Sequence, residues 1–181
     1  METTDMLELQ VLGVTPPGSA EYPTVIMRHE DRVLFISIGP FEAAAIAWGL
    51  KNDKPARPMT HDLILNILAG LRGEVQSVTV YKLENGTFFA YLLVEQRGAD
   101  GGIEQVLRID TRPSDGIALA VRAGCPIYAA EEVMDEAGRD FSVLQSQMEE
   151  GEDAENESGE EDEEDEEEED EGGTEFGEEN Q

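Results

Sequence analysis

The sequence predicts an α+β domain over residues 1–140, with a mixed or antiparallel sheet and three to four helices, followed by a disordered acidic C-terminal tail. Three observations predict it. Period-two and helical-period apolar patterns interleave through the first 140 residues. An Asn85-Gly86 dipeptide sits between two runs of β-branched and aromatic residues, the strongest short hairpin signal. Charge is also sharply partitioned. Residues 149–181 hold 21 of the 42 acidic side chains and none of the 12 basic ones, so the remainder carries 21 acidic against 12 basic groups, a formal −9 of the total −30. Glu160 to Glu171 contains no apolar side chain. Such a segment cannot bury enough surface to offset the entropy of ordering it, and its like charges repel. Residues 149–181 are therefore expected to be disordered, with 141–148 as a connector.

Each element follows from local pattern. Leu7, Leu9 and Val11 alternate with Glu8 and Gln10, a strand with one wet face over 6–14. Thr15-Pro16-Pro17-Gly18 breaks it. Strands over 24–28 and 32–38 form a hairpin around His29-Glu30-Asp31. After Gly39-Pro40, the residues Ala43, Ile46, Ala47 and Leu50 make a helical stripe over 40–51. Thr60 is the expected N-cap of a second helix over 61–72, with Ile64, Ile67, Leu68 and Leu71 as its stripe. Strands over 75–83 and 87–96 flank Asn85-Gly86, and a further strand covers 103–110. Pro113-Ser114-Asp115 opens a third helix that ends at Gly124 and Pro126. A short strand over 126–130 and a short helix from Glu131 to Gly138 complete the domain. Residues 139–148 read only as a weak amphipathic stretch.

Composition excludes several classes. A lone Cys125 permits no internal disulfide and reads as a small buried hydrophobe. Met1 to Gln10 has no signal-peptide pattern and no run is long enough to span a membrane, so a cytoplasmic location without membrane association is expected. There is no Walker loop, no Gly-x-Gly-x-x-Gly after a strand, no Gly-x-Ser-x-Gly elbow and no His-Glu-x-x-His. No organic cofactor is expected.

One constellation occurs twice. Arg57-Pro58 precedes Thr60 and Asp62, and Arg112-Pro113 precedes Ser114 and Asp115, each pair opening a helix. A helix N-terminus beside an arginine suits phosphate or carboxylate, although ordinary capping explains the same residues. His61 lies in the first turn of its helix, where the dipole favours the neutral imidazole usable as a base; a surface or capping histidine is the plainer alternative. His29, at a hairpin tip, reads as exposed. Glu42, Asp62, Asp110 and Asp115 fall at helix starts or a strand end, where side chains from different elements can converge. Such oxygen donors suit Mg²⁺ or Mn²⁺ rather than zinc.

The segment Arg112-Pro113-Ser114-Asp115-Gly116-Ile117-Ala118-Leu119-Ala120, with Cys125-Pro126-Ile127-Tyr128 and Glu131-Glu132-Val133, resembles the signature of the bifunctional nuclease domain family, also known as DUF151. Ile38-Gly39-Pro40-Phe41-Glu42-Ala43 and Arg57-Pro58 with Thr60-His61-Asp62-Leu63 agree with it, so the resemblance runs through residues 6–138. It implies an α+β fold, a homo-oligomer, and RNase and DNase activity. Gly116 stands where the family usually has Ala, a change that reads as helix-weakening but chemically neutral. The acidic tail replaces a small UvrB/UvrC-type motif that some relatives append.

Together these readings set the functional expectation: a nuclease hydrolysing RNA or DNA. Glu42, His61, Asp62 and Asp115 are the catalytic candidates. Arg57, Thr60, Arg112 and Ser114 are the substrate-binding candidates. Glu42, Asp62, Asp110 and Asp115 are the candidate ligands of an assisting Mg²⁺ or Mn²⁺. A non-catalytic oligomeric module binding anions or proteins is the competing class. The net negative charge argues against strong nucleic-acid binding, and the tail is expected to contact basic partners or the domain itself.

Overall fold

A computed structural model describes residues 5–15, 21–51 and 55–142. The 149–181 tail, most of the 141–148 connector and the Pro16–Gly18 break lie outside the described residues. Eight strands and four helices run in the order β1 (Met6–Val14), β2 (Thr24–His29), β3 (Arg32–Ser37), α1 (Pro40–Leu50), α2 (Thr60–Gly70), β4 (Gly73–Glu84), β5 (Thr87–Arg97), β6 (Ile103–Thr111), α3 (Pro113–Ala123), β7 (Ile127–Ala130), α4 (Glu131–Ala137) and β8 (Arg139–Asp140). They form one mixed sheet of order β6-β5-β4-β7-β1-β2-β3-β8. Only β4 and β7 pair in parallel. The β4–β5 turn has Asn85 at φ 51° and Gly86 at φ 75°, the two positive values a type I′ turn demands.

β1 joins the two halves of the sheet by dividing its own length. Met6–Leu9 pair antiparallel with Ala130–Ile127 of β7, while Gln10–Val14 pair antiparallel with Arg28–Val25 of β2. His29 stands where the β1–β2 ladder stops, its Nδ1 2.9 Å from the Glu8 carbonyl oxygen. The expectation of a merely exposed hairpin-tip histidine is corrected: the ring occupies the place of the next ladder bond. β8 is absent from the sequence reading. Its two residues extend β3 by pairing with Val33 and Arg32.

The core lies where α1, α3 and α4 press on the sheet. Met27, Leu34, Ile46, Val78, Val80, Ile117 and Met134 are among its fully buried side chains. α3 is buried along most of its length, and glycine makes this possible. A Cβ on Gly116 would stand 2.9 Å from Val78 Cγ1 and 3.2 Å from Thr111 Cγ2. Val78 is fully buried and stiff at χ1. Gly116 is therefore not a neutral substitution but the contact that seats α3 on β4. Gly116→Ala is expected to lower stability by about 1–3 kcal/mol through overpacking, despite a gain of roughly 1 kcal/mol in helix propensity. Urea denaturation of the two proteins checks this. A more stable variant would show that α3 has room to move.

Two apolar stripes differ from the sequence reading. In α2, Ile67 and Leu71 are exposed, whereas Ile64, Leu65 and Leu68 pack on the core. The helix packs chiefly on α3 and β4, so a narrower face is covered than the periodicity implied. In α1, Leu50 is exposed and Ala45 buried. Helix α1 is apolar nearly all round, which leaves periodicity with little to say about its orientation.

Candidate functional site

Three helix starts meet at one chain of charged side chains. Arg112 is the residue before α3, held in extended backbone by the following Pro113. Its Nε donates to Asp115 Oδ2 at 2.7 Å, and its Nη2 lies 3.1 Å from Glu42 Oε1 in the first turn of α1. Asp115 Oδ1 in turn lies 3.4 Å from Nε2 of His61, in the first turn of α2. The order is thus Glu42–Arg112–Asp115–His61, linking residues from three helices. Gly39, just before α1, leaves room for it: a Cβ there would lie 2.3 Å from Glu42 Oε2.

The electrostatics follow from this geometry. Partial burial raises the Asp115 pKa, but the hydrogen bond and charge of Arg112, aided by His61, outweigh it and hold the carboxyl below its ordinary value. Arg112 is correspondingly held more firmly protonated, first by its hydrogen bond to Asp115. Its side chain nonetheless stays 65 % exposed. Only its Nε and one terminal nitrogen are engaged with the two acids, so the planar group keeps donors for an incoming anion.

Beside this chain lies a cavity of about 310 Å³ whose lining includes Gly39, Glu42, Phe88, Arg112 and Ser114. It opens at the N-terminal end of α3, where first-turn N–H groups have no partner within the helix. Ser114 is buried to 7 % exposure at its wall. A larger cavity of about 880 Å³ lies between β1 and the end of α3, lined by Arg28, His29, Cys125 and Tyr128 among others. It contains none of the predicted site residues. Burial pushes the Cys125 thiol pKa up, which favours the thiol over the reactive thiolate. The smaller cavity, not the larger, adjoins the charged chain.

The other predicted residues fall elsewhere. Asp62 uses both oxygens locally: Oδ2 accepts from the Met59 backbone N–H at 2.9 Å and Oδ1 accepts from Arg122 Nε at 3.1 Å. Met59 is thus the N-cap of α2 and Thr60 its exposed first residue, not the cap itself. Arg57 is exposed and makes no hydrogen bond or ion pair among the described residues. Asp110 sits on β6 opposite Tyr91 and contacts none of the other acids. Arg122 is a residue the sequence reading missed. Its guanidinium also donates to the Ala118 carbonyl at 2.7 Å, and its side chain is only 10 % exposed. A basic residue in the last turn of α3, on the same helix as Asp115, was the available signal.

As arranged, these acids do not fit a divalent ion. Among the described residues no group of three or more His, Cys, Asp or Glu side chains is placed to hold a metal. Glu42, Asp62 and Asp115 each accept from a guanidinium instead.

An α+β domain in which an arginine joins carboxylates from two helix starts beside a cavity is the class that fold and site define. The bifunctional nuclease domain model matches residues 25–142, and the chain belongs to that family. An uncharacterized protein of Mycobacterium tuberculosis, found in two strains, is 37 % identical over 135 residues, covering 74 % of this chain and 77 % of that protein. Bifunctional nuclease 1 of Arabidopsis thaliana is 27 % identical over 114 residues, 61 % of this chain and 34 % of that protein. Bifunctional nuclease 2 of Oryza sativa subsp. japonica is 27 % identical over 118 residues, 64 % of this chain and 35 % of that protein. The chain spans about a third of each plant protein. Among the described residues no helix is long and apolar enough to cross a membrane.

Proposed function

We propose that this chain cleaves phosphodiester bonds of RNA or DNA in the cavity beside Arg112. The observation that supports it most is the unbroken line Glu42–Arg112–Asp115–His61, reached from three helix starts and adjoining a cavity of phosphate-accommodating size. Arg112 and the first-turn N–H groups at Ser114 take the phosphate. Asp115 orients His61, which moves the proton between the attacking and leaving oxygens. The 3.4 Å separation of His61 and Asp115 is one that substrate binding can tighten. An assisting Mg²⁺ or Mn²⁺ would require Glu42 and Asp115 to exchange the guanidinium for the cation. The names of the plant relatives support the nuclease reading.

The competing reading, a non-catalytic anion-binding module, draws on the observation that both acids in the line are already ion-paired to Arg112. One assay separates the two. Full-length protein is incubated with single-stranded RNA and DNA in Mg²⁺, Mn²⁺ or EDTA, beside a Glu42→Ala, Asp115→Ala variant. Cleavage by the wild type alone supports the nuclease. Equal cleavage by both proteins, or by neither, removes this site as a hydrolytic centre.

Self-association is proposed along β6, an edge strand bearing exposed Ile103, Val106 and Ile109. The acidic tail is proposed to compete with nucleic acid for the basic residues of the domain. Truncation after Met148 is expected to raise nucleic-acid affinity several-fold at low salt, with the gain shrinking as salt screens the tail. Unchanged or weaker binding by the truncated protein would rule that competition out.

A further inference from the structure

The site described so far uses one side of the β4–β5–β6 region, and the opposite side carries features it does not use. Strand β5 alternates, so Phe88 lines the cavity while Phe89 points through the sheet. On that far side Tyr81, Phe89 and Tyr91 cluster. The Tyr81 ring lies 6.5 Å from Phe89 and 5.6 Å from Tyr91, at interplanar angles of 53° and 44°. Tyr81 is the extra residue of a bulge between the pairs Val80–Ala90 and Lys82–Phe89, which swings its ring out of the ladder. Two cations sit over these rings. Lys82 Nζ is 5.8 Å from the Phe89 centroid, and the Arg108 guanidinium is 3.9 Å from that of Tyr91.

Their charges differ in status. Lys82 is paired with Glu84 at 2.8 Å. Arg108 has no ion pair or hydrogen bond among the described residues, although Asp110 follows it by two positions on the same face of β6. A guanidinium held 3.9 Å over a ring with its donors unused is suited to meet an anion beside a flat partner. Rings from neighbouring strands, interleaved with such a cation, offer π faces on which unstacked bases can lie.

We propose that Tyr81, Phe89, Tyr91 and Arg108 form a stacking platform for single-stranded nucleic acid on the face of the sheet opposite the Arg112 cavity. The platform also answers the electrostatic objection. A domain of formal charge −9 cannot rely on phosphate neutralisation, whereas base stacking needs no excess of positive charge. Its choice of ligand rests on the nuclease reading.

The test measures binding of a fluorescent oligo(dT) and of a matched duplex to the full chain by anisotropy, with strand integrity checked on gels. Tyr81→Ser and Arg108→Ala are each expected to weaken single-strand binding by about tenfold and to leave duplex binding unchanged, while Tyr81→Phe retains the wild-type affinity. The salt dependence is expected to be shallow, with a log–log slope of roughly −1 to −2, as for one or two phosphate contacts. Thermal unfolding of each variant verifies its fold. Unchanged single-strand affinity in both variants overturns the platform. So does an equal loss for the duplex, or a change in sedimentation without a change in affinity, which would make the face a contact between copies. Platform-dependent binding without cleavage would sink the nuclease reading alone, and cleavage with platform-independent binding would sink the platform alone.

Discussion

Arg112→Met is expected to lower phosphodiester cleavage by about 10²–10³-fold, the cost of removing one preorganised donor to developing charge. The residue joins everything in the pocket. It holds Glu42 at 3.1 Å and Asp115 at 2.7 Å, and it lines the cavity. With methionine there, two carboxylates are left near one another without a counter-charge, and His61 loses a fixed orienting partner. Both kcat and kcat/KM should fall, measured with single-stranded substrate under steady-state conditions. Retention of full activity would place the chemistry elsewhere in the molecule.

The same substitution has a pH signature with a definite sign. In the wild type the folded Asp115 carboxyl is held below its unfolded value of about 4. Its contribution to stability is therefore fully present above that value and is lost as pH falls through the lower folded one. Without Arg112 the burial of Asp115 is opposed only by His61. The difference in Tm between wild type and Arg112→Met should thus be widest above about pH 5 and should narrow below pH 4. A gap that widens in acid would reverse the assigned direction.

Arg122→Ala is expected to cost about 3 kcal/mol of stability, because it strips the partner from the partly buried Asp62 carboxylate and from the Ala118 carbonyl at once. Arg122 ties the last turn of α3 to the first turn of α2, and Asp62 simultaneously holds the α2 N-cap. Gly49 of α1 is also involved: a Cβ there would lie 2.9 Å from Arg122 Nη1. The double variant Arg122→Met, Asp62→Asn should recover a large part of the loss, since it leaves no unpaired charge behind. Denaturant midpoints of Arg122→Met, of Asp62→Asn and of their combination complete the cycle. Additive losses would mean that the two side chains do not act as a pair.

The sequence was most legible where local chemistry and tertiary demand coincide. Asn85-Gly86 admits one tight turn, and the Pro113 and Gly124 boundaries of α3 are set by backbone constraints that no packing partner alters. Legibility failed where burial depends on neighbours distant in the chain. Nothing around Ile67 or Leu71 tells that α2 is covered on so narrow a face, and a two-residue strand such as β8 exists only because β3 is beside it. The candidate site divides in the same way. Spacing placed Glu42, His61, Arg112 and Asp115 at helix starts, but only the fold could join them. Asp62 and Arg122 were opaque because their pairing spans 60 residues.

The sheet's central strand bears on how this domain can be isolated. The family match begins at residue 25, yet β1 ends at Val14. A fragment trimmed to the matched region would lack the one strand that β7 and β2 both grip, splitting the sheet into a four-strand and a three-strand piece. Each piece would carry a fresh row of unpaired amides and carbonyls at what had been the middle of the molecule, and such rows seek one another across chains. The N-terminal segment is thus the keel of the domain, and shortened versions that omit it should precipitate rather than fold.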